Sequence, residues 1–265
     1  MKIDLTGKTA VVTGSTAGMG YRIAEGLARA GSNIVIIGRK DQAVKDAVVR
    51  LRSTLPDIIV SGIVADVGTP EGVDKLVLAH PDADILINNS GIYSLMDFLA
   101  VSDEEWLRYF EINIMSGIRL TRAYLPGMLE RYWGRILLVS SEWAVNIPPD
   151  MIPYGMTKAA ILSITQGLSR RLKATGVTIN AILPGPVEQS PETIEANKTT
   201  ELCLTMEETI AAFGAQHASL GLAYSRAASS DEISELVVSL CSQGASGRNG
   251  MFVHVNGHVF ADIMN

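Results

Sequence analysis

Thr13-Gly14-Ser15-Thr16-Ala17-Gly18-Met19-Gly20 decides the fold. It follows a short β-branched run at 9–13 and precedes a helical pattern at 21–30. Three glycines at this spacing between a strand and a helix serve one physical need. A tight turn and a close approach to a diphosphate both exclude a Cβ, and the helix N-terminus offers N–H donors and a positive dipole end. The stretch therefore predicts a dinucleotide-binding turn, rather than a βα turn that binds nothing.

Outward from that turn, strand and helix patterns alternate along the chain. Strands are predicted at 9–13, 33–37, 59–65, 85–88, 135–140, 178–183 and 251–255. Several are near-continuous Val/Ile/Leu, as strands buried on both faces of a parallel sheet are. Ser102-x-x-Glu105, Thr205-x-x-Glu208 and Ser229-x-x-Glu232 look like capping boxes, and Thr69-Pro70 like an N-cap with proline at the first helical position. The expectation is α/β: a single doubly wound Rossmann domain over 1–265, about seven mostly parallel strands with helices on both faces. Residues 186–226 depart from the alternation. Their length and the apolar Met206, Ile210, Ala211 and Phe213 suggest a substrate lid.

The bulk properties exclude other classes. Of 265 residues, 47% are apolar, enough for a sizeable core, and the formal net charge is -6. No Lys/Arg run exceeds two residues, so a nucleic-acid binder is not expected. Cys203 and Cys241 lack metal-ligand spacing and fit a reducing compartment. With no apolar run long enough for a signal or a membrane span, the expected location is cytoplasmic. His254-x3-His258 falls on a strand and turn with no acidic residue nearby in sequence, so no metal site is predicted. Gly-x-Ser-x-Gly is absent, which argues against an α/β-hydrolase esterase.

The second strand ends Ile37-Gly38-Arg39-Lys40. Gly38 has no carboxylate to accept from a ribose 2′-hydroxyl, whereas Arg39 suits a 2′-phosphate. NADP(H) is therefore favoured over NAD(H); the plainer reading makes Arg39 and Lys40 an ordinary solvated helix start. Asp66-Val67 would bound the adenine or simply form a turn. Tyr154-x3-Lys158 places a phenol and an ammonium on one helix face. The pair alone is close to chance. Its position after Ser140-Ser141, at the carboxyl end of a predicted strand, makes it informative.

In order along the chain, Thr13-Gly14-x3-Gly18-x-Gly20, Asp66-Val67, Asn88-Asn89-Ser90-Gly91, Asn113, Ser141, Tyr154-x3-Lys158, Asn180 and Pro184-Gly185 resemble the short-chain dehydrogenase/reductase family in its single-domain form. Nearly the whole chain takes part, and the sequence is similar to the 3-oxoacyl-[acyl-carrier-protein] reductases of that family. The family's serine lies thirteen residues before its tyrosine, which selects Ser141 over Ser140. The resemblance implies an oxidoreductase that moves a hydride between a nicotinamide dinucleotide and a carbonyl or secondary alcohol. Tyr154 would be the acid/base, its pKa lowered by ~1–3 units by the Lys158 ammonium. Ser141 would bond the reacting oxygen, and Asn113 would hold a relay water. The implied cofactor surface comprises Gly14, Ser15, Thr16, Gly18, Met19, Gly20, Arg39, Asp66, Val67, Asn89, Ser90, Gly91, Tyr154, Lys158, Pro184, Gly185 and Val187. The resemblance also implies a homo-oligomer, dimer or tetramer.

Departures from the family pattern are Gln189-Ser190 where a threonine is usual, Ser90 for an alanine, and Val255-Asn256-Gly257-His258 for Val-Asp-Gly-Gly. Met151, Ile152, Trp143, Tyr93, Met206 and Phe213 are candidates for an apolar substrate pocket, with ordinary packing equally open to each. Two alternatives to the reductase are a non-catalytic NADP(H) sensor and an NAD-dependent alcohol or polyol dehydrogenase of the same family. The sensor would be free to lose Ser141, Tyr154 or Lys158, and the sequence keeps all three.

Overall fold

The computed structural model describes residues 3–188 and 227–255. β1 (Thr9–Val12), β2 (Asn33–Gly38), β3 (Val60–Val64), β4 (Ile85–Asn88), β5 (Gly134–Val139), β6 (Val177–Pro184) and β7 (Phe252–Val255) form one sheet in the order β3-β2-β1-β4-β5-β6-β7. Every ladder in it is parallel. All seven predicted strands are present, with no end shifted by more than one residue and β4 matching at both ends. β5 and β6 are buried at every position, which is why their sequences carry so few polar residues.

The helices are α1 (Gly18–Arg29), α2 (Asp41–Thr54), α3 (Pro70–Ala79), α4 (Asp103–Phe110), α5 (Ser116–Glu130), α6 (Ile152–Arg171) and α7 (Ser230–Cys241). α1 starts three residues earlier than its apolar periodicity suggests. Its first turn holds Gly18 and Gly20, which carry no side chain to mark a face. Thr69 and Ser102 cap α3 and α4 by accepting from the third backbone N–H, and Ser229 with Glu232 completes a reciprocal capping box on α7. The Thr205 box lies outside the described residues.

Apolar residues alternate between the two faces of the sheet. Ala10 and Val12 join Ile23, Leu27, Val44 and Ile233 in one core layer, under α1, α2 and α7. Val11 joins Leu76, Leu120, Tyr124 and Ile161 in the other, under α3, α5 and α6. This is the doubly wound arrangement that the strand and helix alternation predicts.

β1 has β2 on one side and β4 on the other, so the winding reverses between β1 and β4. Ligands of such sheets sit in the crevice beyond that point, at the carboxyl ends of the strands. Among the described residues, no helix is long and apolar enough to cross a membrane.

Candidate active site

The glycine turn leaves β1 at this crevice. Thr13 is buried and fixes the turn to β4: its hydroxyl accepts from the N–H groups of Asn89 and Ser90, both at 2.9 Å. The Asn89 amide returns a bond to the Thr13 carbonyl at 2.9 Å. Gly14 and Gly18 have φ of 62° and 55°, a region that favours glycine. A Cβ on Gly20 would run into the Gly14 carbonyl oxygen. The backbone at the N-terminus of α1 therefore stays bare, as close approach of a phosphate requires.

Ser15 serves the scaffold. Its N–H donates to the Ile37 carbonyl at 3.1 Å and its hydroxyl to the Val12 carbonyl at 2.7 Å, so it has no proton left for a ligand. Thr16 explains Gly38: a Cβ there would lie 2.5 Å from the Thr16 methyl. Arg39 follows, exposed at the start of α2, and no bond of its guanidinium occurs among the described residues. One carboxylate oxygen of Asp66 accepts from the Gly68 N–H at 2.9 Å, while Val67 is buried.

Asn113 lies in a five-residue π-turn, Glu111–Met115, between α4 and α5. Such turns often occur at functional sites. Asn113 accepts from the Ile92 N–H at 2.7 Å and donates to the Ile92 carbonyl and the Thr157 hydroxyl, both at 3.0 Å. A Cβ on Gly91 would lie 3.3 Å from Asn113 Oδ1 and 3.4 Å from Lys158 Nζ, so Gly91 lets these two groups approach.

Ser140 and Ser141 divide their work. The Ser140 hydroxyl donates to the Lys158 carbonyl at 2.8 Å, pinning α6 to β5. Ser141 accepts from the Trp143 N–H at 3.2 Å, and its hydroxyl is near enough to the Tyr154 phenol to favour the ionised form. The Tyr154 ring packs edge-on against Tyr93 and Trp143, with centroids 5.9 and 6.1 Å away. Lys158 is buried; its ammonium donates to the Val139 carbonyl at 2.8 Å and lies 5.4 Å from the Tyr154 ring centroid.

The electrostatics depart from expectation. Burial pushes the Tyr154 phenol up to about 12, against the opposing effect of the nearby Ser141 hydroxyl. Burial pushes the Lys158 ammonium down to about 8. Desolvation penalises the charged form of each and outweighs the lowering expected from the ammonium.

The turn after β4, the turn after β1, Asn113, Ser141, Tyr154 and Lys158 thus gather at one edge of the sheet. Pro184 ends β6 beside them, and Val187 forms a parallel bridge with Ala228. Gln189, Ser190, His258, Cys203, Met206 and Phe213, with most of 186–226, lie outside the described residues. One group was hidden from sequence reasoning. Glu142, fully buried, meets His254 Nδ1 at 2.6 Å from 112 positions away. No local spacing signals that contact.

The short chain dehydrogenase family pattern matches residues 8–201. The chain belongs to the short-chain dehydrogenase family. It is 36% identical over 258 residues to an uncharacterized oxidoreductase of Bacillus subtilis, YvaG, covering 97% of each chain. It is 31% identical over 264 residues to the 3-oxoacyl-[acyl-carrier-protein] reductase FabG of Aquifex aeolicus, covering 98% of this chain and 100% of that one. Its fold matches the L-sorbose reductase of Gluconobacter frateurii, complexed with NADPH and L-sorbose, with a TM-score of 0.85 at 32% identity; 97% of this chain and 98% of that one are covered.

Proposed function

We propose that this oxidoreductase uses NADPH to reduce a carbonyl to a secondary alcohol, with Tyr154 carrying the proton. The observation behind this reading is the cluster of Tyr154, Ser141, Lys158 and Asn113 beside a glycine turn whose missing Cβ atoms leave room for a phosphate. A non-catalytic sensor would not need that cluster.

The residues fit a dinucleotide. Gly14, Thr16, Gly18, Met19 and Gly20 would hold the diphosphate side. Arg39 would hold a 2′-phosphate, and Asp66 and Val67 would flank the adenine. Asn89, Ser90, Gly91 and Lys158 would line the ribose, with Pro184, Gly185 and Val187 toward the nicotinamide. The nicotinamide, when bound, supplies the hydride. The chain supplies the proton. Tyr154 donates it to the developing alkoxide oxygen, and Ser141 hydrogen-bonds that oxygen as charge grows on it. Lys158 and Asn113 connect the phenol side of the site to the interior.

Trp143 and Met151 form a small buried cluster with Leu95 and Tyr154 packed against it, which supports a substrate with an apolar body. The FabG relative reduces a 3-oxoacyl group, in keeping with that class. A 690 Å³ groove between α5 and α6, walled by Ile118, Leu125, Leu129, Ile161, Ile164 and Leu168, supports a homo-oligomer built across this face.

Purified protein should oxidise NADPH with members of a panel of apolar ketones and 3-oxoacyl thioesters. Tyr154→Phe should lower kcat by roughly 100- to 10,000-fold, with NADPH affinity nearly unchanged. NADPH binding without turnover across the panel would favour the sensor. Arg39→Asp should weaken NADPH and improve NADH; an unchanged preference removes Arg39 from the 2′-phosphate site.

A further inference from the structure

Glu142 directly follows the candidate catalytic serine, and its side chain is wholly buried. Carboxylates are seldom buried without a partner. Here the partner is His254 on β7, whose Nδ1 lies 2.6 Å from Glu142 Oε1. β5 and β7 are not neighbours, because β6 runs between them. In the β6–β7 register Leu183 faces His254 and Pro184 faces Val255. The Glu142–His254 bond therefore crosses the end of β6 close to Pro184. It ties together the segment after β5 that holds Ser141, the end of β6, and β7.

The turn that Glu142 opens is also the seat of Tyr154. Residues Glu142–Ala144 form a single 3-10 turn, capped by the Ser141 hydroxyl. That turn lies against the first turn of α6: a Cβ on Gly155 would come within 2.9 Å of the Trp143 carbonyl. A small displacement of the turn therefore moves Ser141 relative to Tyr154. Glu142 Oε2 is buried with no hydrogen-bond partner among the described residues. It is shielded from solvent, so it is not placed to receive a substrate. The carboxylate's orientation rests on the bond to His254.

We propose that Glu142 and His254 are a positioning pair whose hydrogen bond holds the turn at Glu142–Ala144 and thereby keeps the Ser141 hydroxyl beside Tyr154. This rests on reading Ser141 and Tyr154 as the reacting pair.

The test is the double variant Glu142→Leu/His254→Phe beside each single variant. Replacing His254 alone strands the buried Glu142 carboxylate and lowers Tm; removing both groups largely restores Tm. The double variant should bind NADPH within about twofold of wild type, yet show kcat reduced about 100-fold, the size expected for a reacting group misplaced by an ångström. In its crystal structure the Ser141 hydroxyl should lie about 1 Å or more farther from the Tyr154 hydroxyl than in the wild-type crystal structure. Glu142→Gln still accepts from His254 through its amide oxygen and should keep kcat within about fivefold. A double variant with wild-type kcat, or with Ser141 in its wild-type place beside Tyr154, overturns the pair. If wild-type protein turns over no carbonyl, the proposed reaction fails on that result, and the crystallographic distance by itself decides the pair.

Discussion

Tyr154 and Lys158 share one helix face, and burial drives their pKa values in opposite directions. The phenol keeps its proton to about 12 and the ammonium keeps its own to about 8. A protonated phenol is the form that reduction consumes, so the site is set for proton donation at neutral pH. Carbonyl reduction should be flat with pH up to about 7 and fall above about 8, as Lys158 loses its charge. Alcohol oxidation should climb with pH, since it needs the phenolate. Initial rates in both directions over that range check this, and reduction that still rises beyond pH 8 contradicts it. Lys158 also bears on stability. Below about 8 it is charged in both the folded and unfolded chain, and the folded state carries the desolvation penalty. Between about 8 and the ordinary lysine value of 10.5 the unfolded chain binds more protons, so stability rises with pH there. A shift of that size corresponds to about 3 kcal/mol, offset by about 1 kcal/mol for the bond to Val139. Lys158→Met should therefore stabilise the fold by about 2 kcal/mol at neutral pH, with the gain vanishing above about pH 10. Urea melts at the two pH values measure it; a variant less stable than wild type at neutral pH refutes it.

The elements around the site owe their shape to missing side chains and to local bonds. The β1–α1 turn is closed by Thr13 and Asn89 and emptied by Gly14 and Gly20. Gly20→Ala puts a methyl onto the Gly14 carbonyl, with the Asn89 amide 2.5 Å away. The turn must open to admit it. NADPH affinity should drop at least about tenfold and stability by about 1–3 kcal/mol. Fluorescence titration with NADPH gives the first quantity and thermal melts the second; unchanged affinity would mean that the turn does not hold the diphosphate. This turn was legible because glycine spacing is a local signal, and the strands were legible because Val, Ile and Leu runs are too. The π-turn at Glu111–Met115 was not. Its residues continue the helical pattern of α4, and a widened turn leaves no mark on periodicity. The Glu142–His254 contact was hidden for another reason: it is made across a strand, between residues that only the finished sheet brings together. The opposed shifts of Tyr154 and Lys158 depend on how far the fold withdraws each from water, which a four-residue spacing does not encode.

Across the whole molecule the two ends of the sheet carry different duties. The carboxyl ends hold the polar groups of the candidate site, several of them buried at a cost in stability. The opposite end holds Arg135, a fully buried cation at the start of β5. Its guanidinium donates to the carbonyls of Gly134 at 2.8 Å and Gly176 at 3.1 Å, and to the Ser246 hydroxyl at 2.9 Å. It also donates to the Ser242 carbonyl and stacks 4.6 Å from the Trp133 ring centroid. One side chain thus joins β5, the approach to β6 and the chain beyond α7. Removing it strands several carbonyls at once, which outweighs the relief of burying one charge fewer. Arg135→Met should lose at least about 2 kcal/mol, and Arg135→Lys should recover only part of that, because an ammonium cannot span the fork of acceptors. Because the residue lies at the far end of the sheet, kcat per folded molecule should stay unchanged in both variants. Denaturant melts paired with steady-state rates separate the two quantities. An Arg135→Met protein that melts like wild type would show that the carbonyls find other donors, and a fall in its kcat would show that the two ends of the sheet are coupled.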